Sequence, residues 1–188
     1  LGKFTTQWDI ITPPFSYKAF YAKGEEAYSN GKKKPKYLQT KGSPNKLYIP
    51  NYTRNQLNDP SIPLYITEGE KKCLKATQER LSCIALSGLW GWKKKGKEEL
   101  IEDFDQINID GRRIYLVPDN DYQKPNVHGY AKNLESAVYR LAAKLIERGS
   151  RVFIVELPPE SLKGLDDYLR EYSVEDFKKL PQKKVTKE

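Results

Sequence analysis

Short apolar runs alternate with amphipathic stretches along the chain from Pro63 onward. The apolar runs have the length of buried strands and lie at 64–67, 83–86, 114–117 and 152–155. The stretches between them have helical spacing, at 70–80, 97–104 and 130–148. Because strands that alternate with helices build parallel sheets, the pattern predicts an α/β fold with a core of about four parallel strands and helices on both faces.

The strongest helical pattern lies at 130–148 and ends at Gly149, a residue typical of helix C-termini. Its apolar stripe consists of Leu134, Val138, Leu141 and Leu145. A short helix is predicted at 166–171. Ser173 and Asp176 have the spacing of a capping box, which predicts one more helix after them.

The first sixty residues show little periodicity and many Pro, Tyr, Lys and Asn residues. We therefore expect a small irregular N-terminal lobe over 1–60, an α/β domain over 61–172, and a C-terminal helix with a charged tail over 173–188. The tail from Gln182 is expected to fray. Since the sequence begins with Leu1 and contains no methionine, we expect it to be part of a longer protein.

The overall charge favours a polyanionic partner. The chain has 33 Lys and Arg against 25 Asp and Glu, a formal charge of +8. Lysines that merely solvate the surface are an equally good explanation of this balance. The two cysteines show no zinc or disulfide pattern, which fits a reducing cytosol and a cytoplasmic location. No apolar run approaches the ~18 residues of a membrane span, so no membrane partner is expected.

Acidic residues follow two of the predicted strands at their carboxyl ends. Glu68 follows the first strand, and Asp119 and Asp121 follow the third. In parallel sheets the functional crevice lies at this edge, and two residues at i and i+2 of an extended segment share a side. Clustered carboxylates repel each other unless a cation neutralises them, and oxygen ligands suit Mg²⁺ or Mn²⁺. Taken alone, Glu68 is also compatible with a helix-capping role.

These residues resemble the Toprim domain, which is shared by bacterial replicative primases, topoisomerases and several nucleases. The matching segments are LYITEGEKKCL at 64–74 and IYLVPDNDY at 114–122. The resemblance implies a Toprim-like catalytic domain over 61–172. It implies that Glu68 acts in acid–base chemistry and metal binding and that Asp119 and Asp121 form the metal-binding pair, so that these three are the predicted catalytic residues.

A third segment, LKGLDDYLREY at 162–172, is similar to a primase motif. The resemblance places Asp166 on the second aspartate of that motif, as a further metal ligand. Gly164 stands where the first aspartate would be, which removes one ligand unless Asp167 substitutes. Gly129 resembles the glycine that follows the aspartate pair in primases, here after a longer loop.

The resemblance implies metal-dependent nucleotidyl transfer on nucleic acid, with Mg²⁺ or Mn²⁺ as cofactor. It favours a primase-like component of plasmid or phage DNA replication. The expected partners are single-stranded DNA or RNA, nucleotides, and helicase or other replication domains of a full-length protein. Two alternatives stay open: a Toprim nuclease that hydrolyses phosphodiesters, and a non-catalytic nucleic-acid-binding module, which Gly164 mildly favours.

Basic and aromatic residues surround the predicted crevice. Candidate nucleic-acid contacts are Lys71, Lys72, Lys93, Lys94, Lys95 and Trp92. Solvation is the alternative for the lysines, and packing in the core is the more common role for tryptophan. A further basic stretch runs from Lys32 to Lys41. His128 lies in a polar loop and is predicted to be a surface residue.

Overall fold

The computed structural model describes residues 16–18, 28–29, 32–33, 37–39, 44–123, 134–158 and 163–186. The chain divides into two compact units, Leu1–Pro44 and Asn45–Glu188. In the first unit, β1 (Ser16–Lys18) pairs with β4 (Tyr37–Gln39), and β2 (Tyr28–Ser29) pairs with β3 (Lys32–Lys33), both antiparallel. The described residues of this unit thus form two short antiparallel pairs.

The second unit is built on a five-stranded sheet with the order β6-β5-β7-β8-β9. Its strands are β5 (Leu64–Glu68), β6 (Cys83–Leu86), β7 (Arg113–Val117), β8 (Arg151–Val155) and β9 (Gln182–Lys184). The first four are parallel, and β9 pairs antiparallel with β8. Four parallel strands at the predicted positions confirm the predicted fold class.

Alternate residues of the strands supply two separate cores, one on each face of the sheet. Ile66, Leu116 and Ile154 belong to the first core, and Tyr65, Val117 and Val155 belong to the second. The first core contains α3 (Leu134–Glu147) and the 3-10 helix Glu102–Gln106. The second contains α2 (Glu70–Gln78), α4 (Leu165–Glu171) and α5 (Val174–Lys178). This arrangement confirms helices on both faces.

The segment before β5 is part of the second unit, although the sequence places it in the N-terminal lobe. Tyr48 forms a β-bridge with Ala85, and Thr53 of the short helix α1 (Asn51–Arg54) exchanges hydrogen bonds with Cys83. Arg112, fully buried before β7, donates hydrogen bonds to backbone carbonyl oxygens of the same segment, at 2.8 Å from Leu57 and 2.8 Å from Ile62. The compact unit thus begins at Asn45 rather than at 61.

The prediction of a helix at 97–104 is wrong. Leu100 forms a β-bridge with Lys93, and the Ile101 amide donates to the Trp92 carbonyl at 2.9 Å. This pairing holds the chain extended until the 3-10 helix begins at Glu102. The apolar residues of the segment are still buried, because a short 3-10 helix after an extended segment buries them as well as an α-helix would.

The prediction for the C-terminal tail is also wrong. Residues from Gln182 form β9, which pairs with β8 at the edge of the sheet instead of fraying. The helix before it is as predicted, since the Ser173 hydroxyl accepts a hydrogen bond from the Asp176 amide at 3.1 Å. Gly149 follows α3 with a φ of 91°, as expected of a glycine that ends a helix. Residues 130–133 of the predicted long helix lie outside the described residues.

Within the described ranges, none of the helices has the length and apolar character needed to cross a membrane.

Candidate functional site

The order of the strands places a crevice between the carboxyl ends of β5 and β7. From β5 the chain passes through α2 to β6 on one side, whereas β7 lies on the other side of β5 and leads to α3 on the opposite face. Such a switch point opens a cleft that parallel α/β proteins use for ligands. Glu68 is the last residue of β5, and Asp119 follows the end of β7. We name the carboxylates gathered here, Glu68, Asp119, Asp121 and Asp166, the acidic rim.

A tight turn after β5 directs Glu68 toward the crevice. Gly69 has a φ of 83°, which residues with a side chain rarely adopt, and its amide donates to the Leu86 carbonyl at 2.9 Å. The chain can therefore enter α2 immediately after the strand. This turn places Lys72, in the first turn of α2, four residues after Glu68 and on the same side.

The loop after β7 is held by backbone and amide hydrogen bonds. The Asn120 amide donates to the Lys163 carbonyl at 3.0 Å, and its side chain donates to the Pro158 carbonyl at 3.2 Å. The Tyr122 amide closes a turn on the Asp119 carbonyl at 3.1 Å. Asn120 thus fastens the loop to the segment before α4, while the aspartates on either side of it face the crevice.

Glu68 and Asp119 meet directly. Burial, the largest effect, raises the pKa of the Glu68 carboxyl above its ordinary value, and the negative charge and hydrogen bond of Asp119 raise it further. The Lys72 ammonium works against this rise. It forms an ion pair with Asp119 and lies 3.6 Å from the nearer Glu68 oxygen. Two carboxyl groups therefore share one lysine in a half-buried position.

A second lysine joins Asp119 to Asp121. The Lys163 ammonium is 3.3 Å from an oxygen of Asp121 and 3.9 Å from one of Asp119. The hydrogen bond to Asp121 raises the pKa of Lys163, and the charges of the rim raise it as well. One cation within reach of both aspartates shows that they face the same side, as their i and i+2 spacing suggested. The Lys163 side chain is 62% exposed, so this contact lies at the outer side of the rim.

Gly164 brings Asp166 to the rim. A Cβ atom at Gly164 would lie 3.1 Å from an Asp119 oxygen and 3.2 Å from an Asp166 oxygen, so both carboxylates border the same small space. The same atom would be 2.6 Å from Cε of Lys72. The missing side chain therefore leaves room for the lysine stem.

The acidic rim has the donor chemistry of a divalent-metal site, but lysines now neutralise it. Carboxylate oxygens are the ligands that Mg²⁺ and Mn²⁺ prefer. The described residues nevertheless include no group of three or more His, Cys, Asp or Glu side chains already arranged around a metal position. Glu68 and Asp119 do contact each other at the predicted edge, and Asp121 is joined to Asp119 through Lys163. The predicted convergence of all three on one metal ion, and their roles in catalysis, stay predictions.

The other predicted contacts with nucleic acid have varied surroundings. Lys71 and Lys95 are exposed. Lys93 forms an ion pair with Glu98, and Lys94 lies 3.2 Å from Glu102. These two lysines are therefore partly neutralised on the surface.

Trp92 is fully buried, which is contrary to its predicted contact with nucleic acid. Its ring stacks on Trp90 with 6.4 Å between centroids, and the Lys93 ammonium lies 4.6 Å from the Trp90 ring. No face of Trp92 is open to an unpaired base, because Trp92 fills the first core.

Sequence reasoning missed the part played by the two lysines. It assigned Lys72 to nucleic acid and did not single out Lys163. The spacing of four residues between Glu68 and Lys72 was a readable signal, since it permits an ion pair across one helical turn. No comparable signal existed for Lys163, which approaches Asp121 only through the folding of the chain. His128, Gly129 and Lys34 to Lys36 lie outside the described residues.

The fold and the rim together define an α/β domain with a charged crevice at the carboxyl edge of its sheet. A family described as "Domain of unknown function (DUF3854)" matches residues 53–176. The chain therefore belongs to that family.

The fold is also similar to that of a bacterial primase. A crystal structure of the Aquifex aeolicus primase, comprising its zinc-binding and RNA polymerase domains, matches 80% of this chain with a TM-score of 0.51 and 15% sequence identity. The chain spans only 35% of that primase chain. A comparison with curated proteins found no match. At this identity the likeness establishes a primase-like fold and nothing about the reaction.

Proposed function

We propose that this chain is a Toprim-type domain that carries out metal-dependent nucleotidyl transfer on nucleic acid. The observation that carries the proposal is the meeting of Glu68 and Asp119 at the switch point of the sheet, with Asp121 held beside them through Lys163. The similarity of the fold to a primase that contains an RNA polymerase domain supports it. The finer context that we propose is a primase-like component of plasmid or phage DNA replication.

The proposed cofactor is Mg²⁺ or Mn²⁺, held by Glu68, Asp119 and Asp121, with Asp166 as a further ligand. A cation bound there supplies Lewis-acid polarisation of a phosphate oxygen. The chain's own contribution is to gather the carboxylates and to present ammonium groups beside them. Among the residues that the structure describes, Lys72 and Lys163 contact the rim carboxylates, and both are suited to hold phosphate oxygens.

The proposed partners are single-stranded DNA or RNA and nucleotides, together with helicase or other replication domains of a longer protein. The formal charge of +8 favours binding to such polyanions. Exposed lysines, Lys71 and Lys95, would add contacts with the phosphate backbone. Lys93 and Lys94 would contribute less, because acidic neighbours already pair with them.

A second candidate function is a nucleic-acid-binding module without catalysis. The ion pairs of Lys72 and Lys163 favour it, because a rim neutralised by lysine holds its carboxylates together without any metal. Gly164 also favours the binding module, because it supplies no carboxylate as a metal ligand. In that case the basic surface would bind nucleic acid and the rim would be a structural remnant.

An assay with single-stranded template separates these functions. The chain is incubated with labelled single-stranded DNA, nucleotides and Mg²⁺ or Mn²⁺, beside the double variant Asp119→Asn/Asp121→Asn. A matched control is Glu171→Gln/Glu175→Gln, which removes two exposed acidic charges from α4 and α5. Extended products that the rim variant loses and the control keeps would support nucleotidyl transfer.

Other products of the same assay point elsewhere. Cleaved DNA that the parent chain produces and the rim variant does not would identify a Toprim nuclease instead. Unchanged DNA that the chain and the rim variant bind equally well would identify the binding module and refute the proposed transfer.

A further inference from the structure

The Lys72 ammonium occupies the place between the two inner carboxylates of the rim. It pairs with Asp119 and lies 3.6 Å from Glu68, and its side chain is only 17% exposed. A metal ion bound by both Glu68 and Asp119 would have to occupy the position of the Lys72 ammonium. The ammonium and a divalent ion cannot both hold this position, because like charges a few ångströms apart repel strongly in a poorly hydrated site.

Gly164 provides the space in which the Lys72 stem lies. A Cβ atom at position 164 would be 2.6 Å from Cε of Lys72, well inside ordinary contact distance. Any side chain here would therefore push the lysine away from Asp119. The pocket for the lysine is built jointly by the first turn of α2 and the residue before α4.

Lys72 can leave this position without unfolding its surroundings. Its side chain is long and flexible, and it starts from the first turn of α2, next to solvent-exposed Lys71. Its partners are carboxylate oxygens of side chains, and a divalent cation can replace the ammonium at both of them. Lys163, with a side chain that is 62% exposed, lies outside and gives way more easily still.

We propose that Lys72 is an exchangeable internal cation: it neutralises Glu68 and Asp119 in the free protein and must swing out before a divalent cation binds. The inference rests on the proposed function, since it assumes that the rim takes up a divalent metal. It goes beyond that function by assigning to Lys72 the control of metal affinity. Lys72 is thus a positioning residue of the rim and competes with the metal for it.

The competition has a measurable consequence. If the ammonium occupies the site nine-tenths of the time, the apparent affinity for metal is weakened about tenfold, in proportion to the free fraction. Lys72→Gln removes the competing charge and keeps most of the side-chain volume. Gly164→Ala keeps the charge and displaces the stem. Both variants should bind metal more tightly than the parent chain.

The test is a titration with Mn²⁺ alone, followed by the electron-spin-resonance signal of the free ion. We expect Lys72→Gln to lower the dissociation constant about tenfold. The matched control is Lys75→Gln, which removes the same charge from the same helix and breaks an ion pair of the same spacing, with Glu79 at 2.5 Å. The control should stay within about twofold of the parent chain, because its ion pair does not involve the rim.

A second readout is thermal stability in chelator and in Mn²⁺. Lys72→Gln should be less stable than the parent chain in chelator and gain more stability from Mn²⁺, since the metal restores the missing positive charge. If Lys72→Gln does not fold, Gly164→Ala decides: tighter binding supports the inference, and unchanged or weaker binding overturns it.

The failure of this inference is distinct from the failure of the proposed function. If neither the parent chain nor Lys72→Gln takes up Mn²⁺, the metal site itself is refuted, and the inference with it. If the parent chain binds Mn²⁺ through Glu68 and Asp119 and Lys72→Gln binds it equally or more weakly, the metal site stands and the competition is refuted.

Discussion

The two ends of β7 carry buried charges that are neutralised in opposite ways. Arg112, before the strand, is fully buried and donates hydrogen bonds to carbonyl oxygens of the backbone. Asp119, after the strand, is 7% exposed and is neutralised by lysine side chains. Backbone acceptors cannot move away without unfolding the segment, whereas lysine side chains can. The charge at the amino end of the strand is therefore held by a fixed backbone, whereas the lysines at the carboxyl end can move away from their carboxylate partners.

Removal of the buried guanidinium should have the largest effect on stability. Arg112→Met should cost about 3–5 kcal/mol of unfolding free energy, because buried and partly buried carbonyl oxygens of Gln56, Leu57 and Ile62 each lose a donor at once. Urea denaturation measures the loss. Arg113→Met, at the exposed neighbouring position, is the control and should change stability by less than about 0.5 kcal/mol. Equal losses in the two variants would contradict the structural role of Arg112.

Removal of the lysine at the other end of the strand should have a smaller effect. Lys72→Gln, in the presence of chelator, should cost only about 1 kcal/mol, since Lys163 and water can take over part of the neutralisation. The same urea experiment applies, with Lys75→Gln as control. A loss as large as that of Arg112→Met would show that Lys72 is held as firmly as Arg112.

Salt sharpens the contrast between the two ends. The cost of Lys72→Gln should fall by roughly a quarter between low salt and 1 M NaCl, because the Debye length shortens to about 3 Å but a partly buried ion pair is screened less than an exposed one. The cost of Arg112→Met should stay the same, since its hydrogen-bond partners are neutral carbonyl oxygens. Denaturation curves of both variants and the parent chain at each salt concentration supply the measurement. An equal response of both variants would be the contrary result.

The smallest expected effect concerns pH. The pKa of Glu68 in the folded chain lies above its ordinary value of 4.5, chiefly because of burial. The folded state thus holds this proton more tightly than the unfolded state, and stability falls as the pH rises from 4.5 through the raised pKa. Thermal unfolding in chelator should show the parent chain losing stability relative to Glu68→Gln over this range. A difference that is constant or grows with pH would refute the raised pKa.

Element positions could be predicted well wherever the hydrophobic pattern is strong. The strands that end at Glu68 and Val117 lie within one residue of their predicted bounds, and the helix before Gly149 ends one residue before its predicted end. Their patterns are set by burial on one or both faces, and burial is visible in the sequence. The segment at 97–104 failed because its apolar spacing suits a helix and an extended segment alike. Only the pairing of Lys93 with Leu100 decides between them.

The candidate site could be predicted in its acidic residues but not in its basic ones. Acidic residues after neighbouring parallel strands lie close together, because such strands end side by side at one edge of the sheet, and β5 and β7 are neighbours. The position of Lys163 depends on how the segment before α4 folds back onto the loop at Asn120. Nothing in the local pattern reports such a long-range contact.

By itself, the sequence determined the order of strands and helices, the parallel sheet, and the gathering of Glu68, Asp119 and Asp121 at one edge. Local periodicity and the geometry of parallel sheets are sufficient for these. Tertiary structure alone decided that Gln182 begins an edge strand, that Trp92 is buried, and that Lys72 lies between two carboxylates. These outcomes depend on contacts between residues that are distant in the sequence. For example, Lys72 fits between the carboxylates because Gly164 has no side chain, and the local pattern around Lys72 does not show this.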